Sequence, residues 1–489
     1  PPPPPPPATA MDPGSRPLLL VALLLCCCAS AARGNGVFQV RRRFLTRDRP
    51  PGDLRAHDIR RHGRALAAVD IPLGGLGLPS EAGLYFAEIG IGTPSKNYYV
   101  QVDTGSDILW VNCIQCKHCP RRSDLGVELT LYDPKSSHSG RLVTCDEAFC
   151  SATYGGELDG CRPELLCQYS VTYGDGSATS GYFVTDDIQY NQVTGNHQTR
   201  QANASVTFGC GAQQSGDLGS SSEALDGILG FGQSNSSMIS QLASSGKVRK
   251  MFAHCLDTVN GGGIFAIGHI VQPKVNTTPL VPDQPHYNVN MKAIEVGGEF
   301  LRLPSDIFDT GERKGTIIDS GTTLAYFPEA AYRPLMDAIM SQQPNLNIQR
   351  IQDFLCFEYT GSVDDGFPVV TLHFENSLSM KVYPHDYFFQ STGDVWCVGW
   401  QNSGAQSKDG KDMILLGDLV LSNKVVLYDL EKQAIGWIDY NCSSSIKVQD
   451  DKTGEIYTVS AHNVSSAIGM GVERFILIFI LCAMLCFLI

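Results

Sequence analysis

No stretch of the 489-residue sequence is apolar for long enough to cross a bilayer as one helix. Its two apolar runs, Leu18 to Ala29 and Phe475 to Ile489, fall short of the ~20 residues that a span needs. An excess of positive charge is also missing: the net charge is −13, which argues against nucleic acid as a partner. Helical periodicity is scarce, with Glu329 to Met340 its best instance. What is plentiful is glycine, 49 residues, together with short alternating or apolar runs. Tyr85 to Ile91, Tyr98 to Val102, Val171 to Tyr173 and Val425 to Tyr428 are each bounded by Gly, Pro, Asn or Asp. This pattern predicts an all-β fold with few short helices. The length exceeds one ordinary core, so two lobes plus accessory segments are expected.

Charge and composition divide the chain further. Residues 1–10, which include Pro1 to Pro7 ahead of the first methionine, read as an upstream extension. Residues 11–32 read as an export signal, with Arg16 before the apolar run and small residues from Ala29 to Ala32 as a cleavage site. Residues 33–78 lack an alternating core pattern. Within them, Arg33 to Arg64 hold ten arginines against three aspartates, a net +7, whereas residues 65–489 carry −20. That contrast favours a basic propeptide at 33–78 over a plain linker.

Of 17 cysteines, three lie in the signal and two in the C-terminal apolar run. The remaining twelve are Cys113, Cys116, Cys119, Cys145, Cys150, Cys161, Cys167, Cys210, Cys255, Cys356, Cys397 and Cys442. An even number in an exported chain predicts six disulfides. Cys113, Cys116, Cys119 and His118 also have the spacing of a zinc knuckle, but export and the even count favour disulfides, so no metal and no cofactor are expected. Sequons at Asn203, Asn235, Asn276 and Asn463 agree with export.

The chemistry sits in a loose internal repeat. Val100 to Asp103 runs into Thr104-Gly105-Ser106 and then Ile108-Leu109-Trp110-Val111. Thr316 to Asp319 runs into Ser320-Gly321-Thr322 and then Leu324-Ala325-Tyr326-Phe327. Downstream lie Ile228-Leu229-Gly230 and Leu415-Leu416-Gly417. One Asp-Thr-Gly is usually a surface turn. Two, each entered by an apolar strand, describe two related lobes that each present one carboxylate, with glycine allowing the tight turn and hydroxyls holding the oxygens. Brought together, Asp103 and Asp319 repel when both are ionised, so one keeps a proton near the working pH, the pattern the aspartic proteases illustrate. The ionised partner can take a proton from water while the protonated one donates to a carbonyl oxygen.

The sequence resembles the pepsin-like aspartic proteases over nearly all of Gly83 to Asp439, on the stretches Tyr85 to Pro94, Asp103 to Trp110, Asp226 to Gly232, Asp319 to Thr323 and Ile414 to Leu419. The resemblance implies a bilobal fold, an N-terminal lobe at 79–275 and a C-terminal lobe at 276–442, with the cleft between them. It implies Asp103 and Asp319 as the catalytic pair, Thr104 and Ser320 as links between the two turns, and Ser106 and Thr322 as partners of the outer carboxylate oxygens. Tyr173, followed by Gly174, matches the tyrosine of a flap that closes over substrate, and Trp110 the tryptophan that steadies it. The pairs Cys356–Cys397 and Cys255–Cys442 are likewise implied, while the N-terminal cysteines stay unassigned. The seven cysteines from Cys113 to Cys167, with Ser106-Asp107 and Phe208-Gly209-Cys210, are similar to the nepenthesin-type branch of plants. Asp107 is taken as structural or charge-tuning.

Residues 443–466 are polar and read as a linker; 467–489 end in fifteen apolar residues with nothing polar beyond, the layout of a removed glycolipid-anchor signal, with attachment near Ser465 or Ser466. A single membrane span is the rival. The expectation is a monomeric, acid-active endopeptidase acting on polypeptides at the outer face of the plasma membrane. Its alternative is an inactive relative that binds cell-wall hydrolases.

Overall fold

Alternation in the sequence becomes burial in the sheet. In a computed structural model that describes residues 66–80, 83–311, 314–403 and 412–464, strand β3 (Leu84–Ile91) buries Tyr85, Phe86, Ala87, Ile89 and Ile91. It forms a hairpin with β4 (Lys96–Asp103), which buries Tyr98, Val100 and Val102 and ends on the first motif aspartate. The export signal, Arg33 to Ala65, Ser465, Ser466 and the apolar tail lie outside the described residues.

Between β1 (Val69–Ile71) and β2 (Leu73–Leu76) at the start and β12 (Gly263–Ile267) the chain lays down most of one fifteen-stranded sheet. Its members include β5 (Leu109–Lys117), β6 (Arg141–Leu142), β7 (Gln168–Thr172), β8 (Ala178–Gly195), β9 (Gln198–Ser215), β10 (Gly227–Gly230) and β11 (Met251–Leu256). The strands Lys424–Asp429 and Ala434–Asp439, from the other half of the sequence, complete it. Four smaller sheets carry most of the rest of the C-terminal half. The fold is all-β with a few short helices, as the sequence pattern predicts.

The internal repeat is a repeat of topology. β10 inserts between β4, to which it runs parallel, and β5, to which it runs antiparallel. In the second half Asp412–Leu416 inserts in the same way between Lys314–Ile318 and Ala325–Phe327. The glycine that ends each inserted strand is required by close approach. A Cβ on Gly230 would stand 2.4 Å from the Asp107 carbonyl carbon, and one on Gly417 would stand 2.2 Å from two carbonyl oxygens.

Two segments that the sequence sets apart from the body pair with its strands. β1 and β2 fall within 33–78, the segment read as propeptide, yet they are woven into the body. β1 pairs with both β8 and β12, β2 pairs with β3, and Val69, Ile71 and Leu73 are buried. Within 443–466, read as linker, Ser445–Gln449 and Ile456–Ser460 form a hairpin that extends the strand His269–Gln272. Its alternate residues Ile446, Val448 and Val459 are buried in a cluster with Cys255, Ile264 and Cys442. An alternating pattern only two or three residues long was outweighed by the polar residues between.

Six disulfides form: Cys113–Cys210, Cys116–Cys119, Cys145–Cys161, Cys150–Cys167, Cys255–Cys442 and Cys356–Cys397. The last two are those the resemblance implies. The cysteines and His118 of the possible zinc knuckle do not form a metal cluster among the described residues, since all three thiols are spent in disulfides.

Candidate active site

β4 delivers Asp103, and Lys314–Ile318 delivers Asp319, each into a turn made by the residues that follow. The Gly105 N–H donates to Asp103 Oδ1 at 2.8 Å, and the Gly321 N–H donates to Asp319 Oδ1 at 2.8 Å. The outer oxygens are held by hydroxyls. Ser106 Oγ donates to Asp103 Oδ2, and Thr322 Oγ1 donates to Asp319 Oδ2 at 2.6 Å. The Ser320 N–H reaches across to Thr104 Oγ1 at 2.9 Å and ties one turn to the other. The link runs one way, since Ser320 contributes its N–H and its own hydroxyl is buried without a partner.

The carboxyls face each other over the glycines. Both inner oxygens lie within 3.1 Å of a single point, the place a Cβ on Gly321 would occupy, and a Cβ on Gly105 would stand 2.5 Å from Asp319 Oδ1. Any side chain at either glycine would displace the pair. Burial, and next the charge of Asp319, push the Asp103 carboxyl up to about 7, against the pull of the Ser106 hydroxyl and the backbone N–H groups. Two carboxyls this close in a dry site hold one proton between them over a wide pH range.

The segment expected to act as a flap is the turn between β7 and β8, where the Tyr173 N–H donates to the Ser177 carbonyl at 2.9 Å. Gly176 takes a left-handed φ of 87°, which glycine adopts at no steric cost. Gly174 sits beside it with nothing within 4 Å of where its Cβ would be. Trp110 Nε1–H donates to Tyr173 Oη at 2.7 Å, the pairing the resemblance implies. Both rings belong to a small cluster that includes Cys145, Cys150 and Cys167, so the cysteine-rich insertion packs behind the flap.

Two groups were missed. Asp418 follows the Leu415-Leu416-Gly417 run and is buried, its carboxyl pushed well above the usual range by burial and then by Asp319 and Asp103. The corresponding place after Ile228-Leu229-Gly230 is Phe231, so the repeat gave no signal for an aspartate. His286 donates from Nδ1 to the Gly105 carbonyl at 2.8 Å, and no local pattern marks it. Asp107 accepts from the Ser234 N–H at 2.9 Å and is pushed up mainly by burial, which suits a structural role.

Of the sequons, Asn203, Asn235 and Asn276 are exposed, whereas Asn463 is half-buried and its Nδ2 already donates to the Asn260 carbonyl.

Comparison with known proteins agrees with this geometry. The family model described as "Xylanase inhibitor N-terminal" matches residues 85–269, and "Xylanase inhibitor C-terminal" matches 286–438. Aspartic proteinase 36 of Arabidopsis thaliana is 51% identical over 435 residues, 89% of either chain. The chain belongs to the plant pepsin-like aspartic protease family. Aspartic proteinase 39 of the same plant is 47% identical over 89% of this chain and 90% of its own, and nepenthesin-1 of Nepenthes gracilis 26% over 74% and 79%. Among solved structures, edgp superposes with a TM-score of 0.61 at 20% identity, covering 77% of this chain and 95% of its own. Basic 7S globulin from soybean gives 0.58 at 21%, covering 76% and 96%. These two speak for the fold alone.

Proposed function

We propose that this family member is an active endopeptidase that hydrolyses polypeptides in an acidic, extracytosolic setting. The observation that carries the reading is the intact dyad: two facing carboxyls, each with its inner oxygen on a glycine N–H and its outer oxygen on a hydroxyl. With one proton shared, the ionised carboxylate takes a proton from a water as that water attacks the scissile carbonyl carbon. The protonated carboxyl donates to the carbonyl oxygen. The resulting diol collapses when the leaving nitrogen receives a proton from the pair, the C–N bond breaks, and no covalent enzyme intermediate forms. The flap tyrosine and its tryptophan close the site over substrate. Relatives named aspartic proteinases support a polypeptide substrate.

The export signal, six disulfides and three exposed sequons support a place outside the cytosol. The small residues Ser465 to Ala467 and the apolar run Phe475 to Ile489 support a glycolipid anchor on the plasma membrane, and the +7 of 33–64 against the −20 of 65–489 supports a basic propeptide.

A second reading has its own observation, since the matching family model is described by xylanase inhibitors. One experiment separates the two. The secreted protein is incubated with an unfolded polypeptide at acid pH, with and without a pepstatin-type inhibitor, and separately with a xylanase. New peptide termini that the inhibitor suppresses support the protease; no termini, with xylanase activity lost, supports the binder.

A further inference from the structure

Far from the dyad, a cavity of about 280 Å³ lies where the main sheet forks. One edge of β8 passes from one partner to another there: Val69 and Asp70 of β1 pair with Gln192 and Asn191, and then Gly90 and Ile91 of β3 pair with Gln189 and Ile188. Register places the polar lining on one face. Asp70 stands opposite Asn191, which stands opposite Gln201 of β9; Gln189, two residues from Asn191, stands opposite Gly90, and Glu88 follows at two residues along β3. Gly90 has no room for a side chain: a Cβ there would stand 2.6 Å from Ser95 Oγ and 3.1 Å from Gln189 Cβ.

The lining offers carboxamides that are not spent within the protein, Gln201 exposed and Gln189 and Asn191 half-buried. Among the described residues, the carboxamides of Gln189, Asn191 and Gln201 have no hydrogen-bond partner. Asp70 is 5% exposed; its Oδ2 accepts from His462 Nε2 at 2.8 Å, but its Oδ1 has no partner at all. That oxygen is sealed from solvent, so an occupant of the cavity meets Asp70 as a nearby negative charge and not as a free acceptor. The chemistry of a matching occupant follows from the rest of the lining. Each carboxamide offers both a donor and an acceptor, and the Glu88 carboxylate adds an acceptor. An anion would be repelled by Asp70 and Glu88, and a simple cation would leave the amide donors idle. Hydroxyl groups, which donate and accept at once, match.

The sheet register supplies a source of hydroxyls. Asn203, the asparagine of an Asn-Ala-Ser sequon, stands opposite Gln189 on β9, two residues from Gln201 on the same face, and is exposed. Directly opposed residues have Cβ atoms about 5 Å apart and diagonal neighbours about 7–8 Å, within reach of one or two sugar rings on the asparagine nitrogen. Asn203 Nδ2 donates to Asp187 Oδ2 at 3.3 Å, a bond that the single N–H of a glycosylated amide can keep. We propose that this cavity cradles the first sugars of an N-linked glycan on Asn203. The glycan is then part of the folded lobe, bonding to the free carboxamides and braced against the β1 end of the fork.

The test needs no proteolytic activity. The protein is secreted from cells that attach high-mannose glycans, and the native fold is treated with peptide:N-glycosidase F while release is followed site by site. The glycan on Asn203 should be released several-fold more slowly than those on Asn235 and Asn276, which face open solvent. Asn191→Leu together with Gln201→Leu should bring Asn203 to their rate; if the pair misfolds, Asn191→Ala alone should move it the same way. The proposal is overturned if Asn203 is unoccupied, if its glycan leaves as fast as the others, or if the cavity variants do not change its rate.

Discussion

At the scale of single residues, the site depends on side chains that hold other side chains. Trp110 touches the chemistry only through Tyr173, by a 2.7 Å hydrogen bond within an apolar cluster. Trp110→Phe keeps most of the packing and removes the donor, a loss of about 1 kcal/mol, or roughly fivefold. The expectation is a rise in KM with kcat little changed, because the flap is less often closed over substrate. An unchanged KM would show that the tryptophan serves only to fill space. The turn glycines, by contrast, tolerate nothing: a Cβ at Gly105 or Gly321 would stand within 2.5 Å of the opposite carboxyl.

At the scale of elements, the C-terminal hairpin Ser445–Gln449 and Ile456–Ser460 belongs to the body. Ile446, Val448 and Val459 are each at most 2% exposed. Ending the chain just after Cys442 keeps the Cys255–Cys442 disulfide but uncovers Ile264 and the cluster around it. Burial of three aliphatic side chains is worth about 1.5–3 kcal/mol each as an upper bound, so a clear fall in melting temperature is expected, with the dyad untouched. An unchanged melting curve would mean the hairpin contributes nothing to the fold. This element also shows where the sequence was mute. Asp-Thr-Gly, Asp-Ser-Gly and the two apolar-apolar-Gly runs were legible because close approach dictates the residue at each position. The hairpin, β1 and β2 were not, because two or three buried residues between polar ones or glycines make no readable period. The N-terminal disulfides were unreadable for a different reason: seven cysteines within 55 residues, with Cys210, admit many pairings until the strands fix which Cα atoms approach.

At the scale of the whole molecule, buried carboxyls set the response to pH. Burial pushes Asp226 up to about 7 despite the N–H groups of Tyr99 and Thr130, and Asp103 reaches about 7 as well. Between about pH 4 and pH 7 the folded chain therefore keeps protons that the unfolded chain has released, and stability falls as pH rises through that window. His462, raised by its bond to Asp70, acts in the same direction, since its contribution is lost as pH rises through its folded value. His254 opposes them, since burial lowers it to about 3 and the unfolded chain binds a proton there below about pH 6.5, but the raised carboxyls of Asp103, Asp226, Asp107, Asp386, Asp418 and Glu88 outnumber it. The melting temperature should be higher near pH 4.5 than near pH 7.5; the reverse order would contradict the protonation pattern. The fold then favours the acidic setting proposed for the chemistry.

The central claim is that Asp103 and Asp319 act as one acid–base unit, and it is tested by the rate of peptide cleavage at acid pH in Asp103→Asn and Asp319→Asn beside the unaltered protein. Either substitution removes a proton carrier that the other cannot replace, so both variants should fold, melt cooperatively and show no turnover above background. Full activity in either variant would contradict the account.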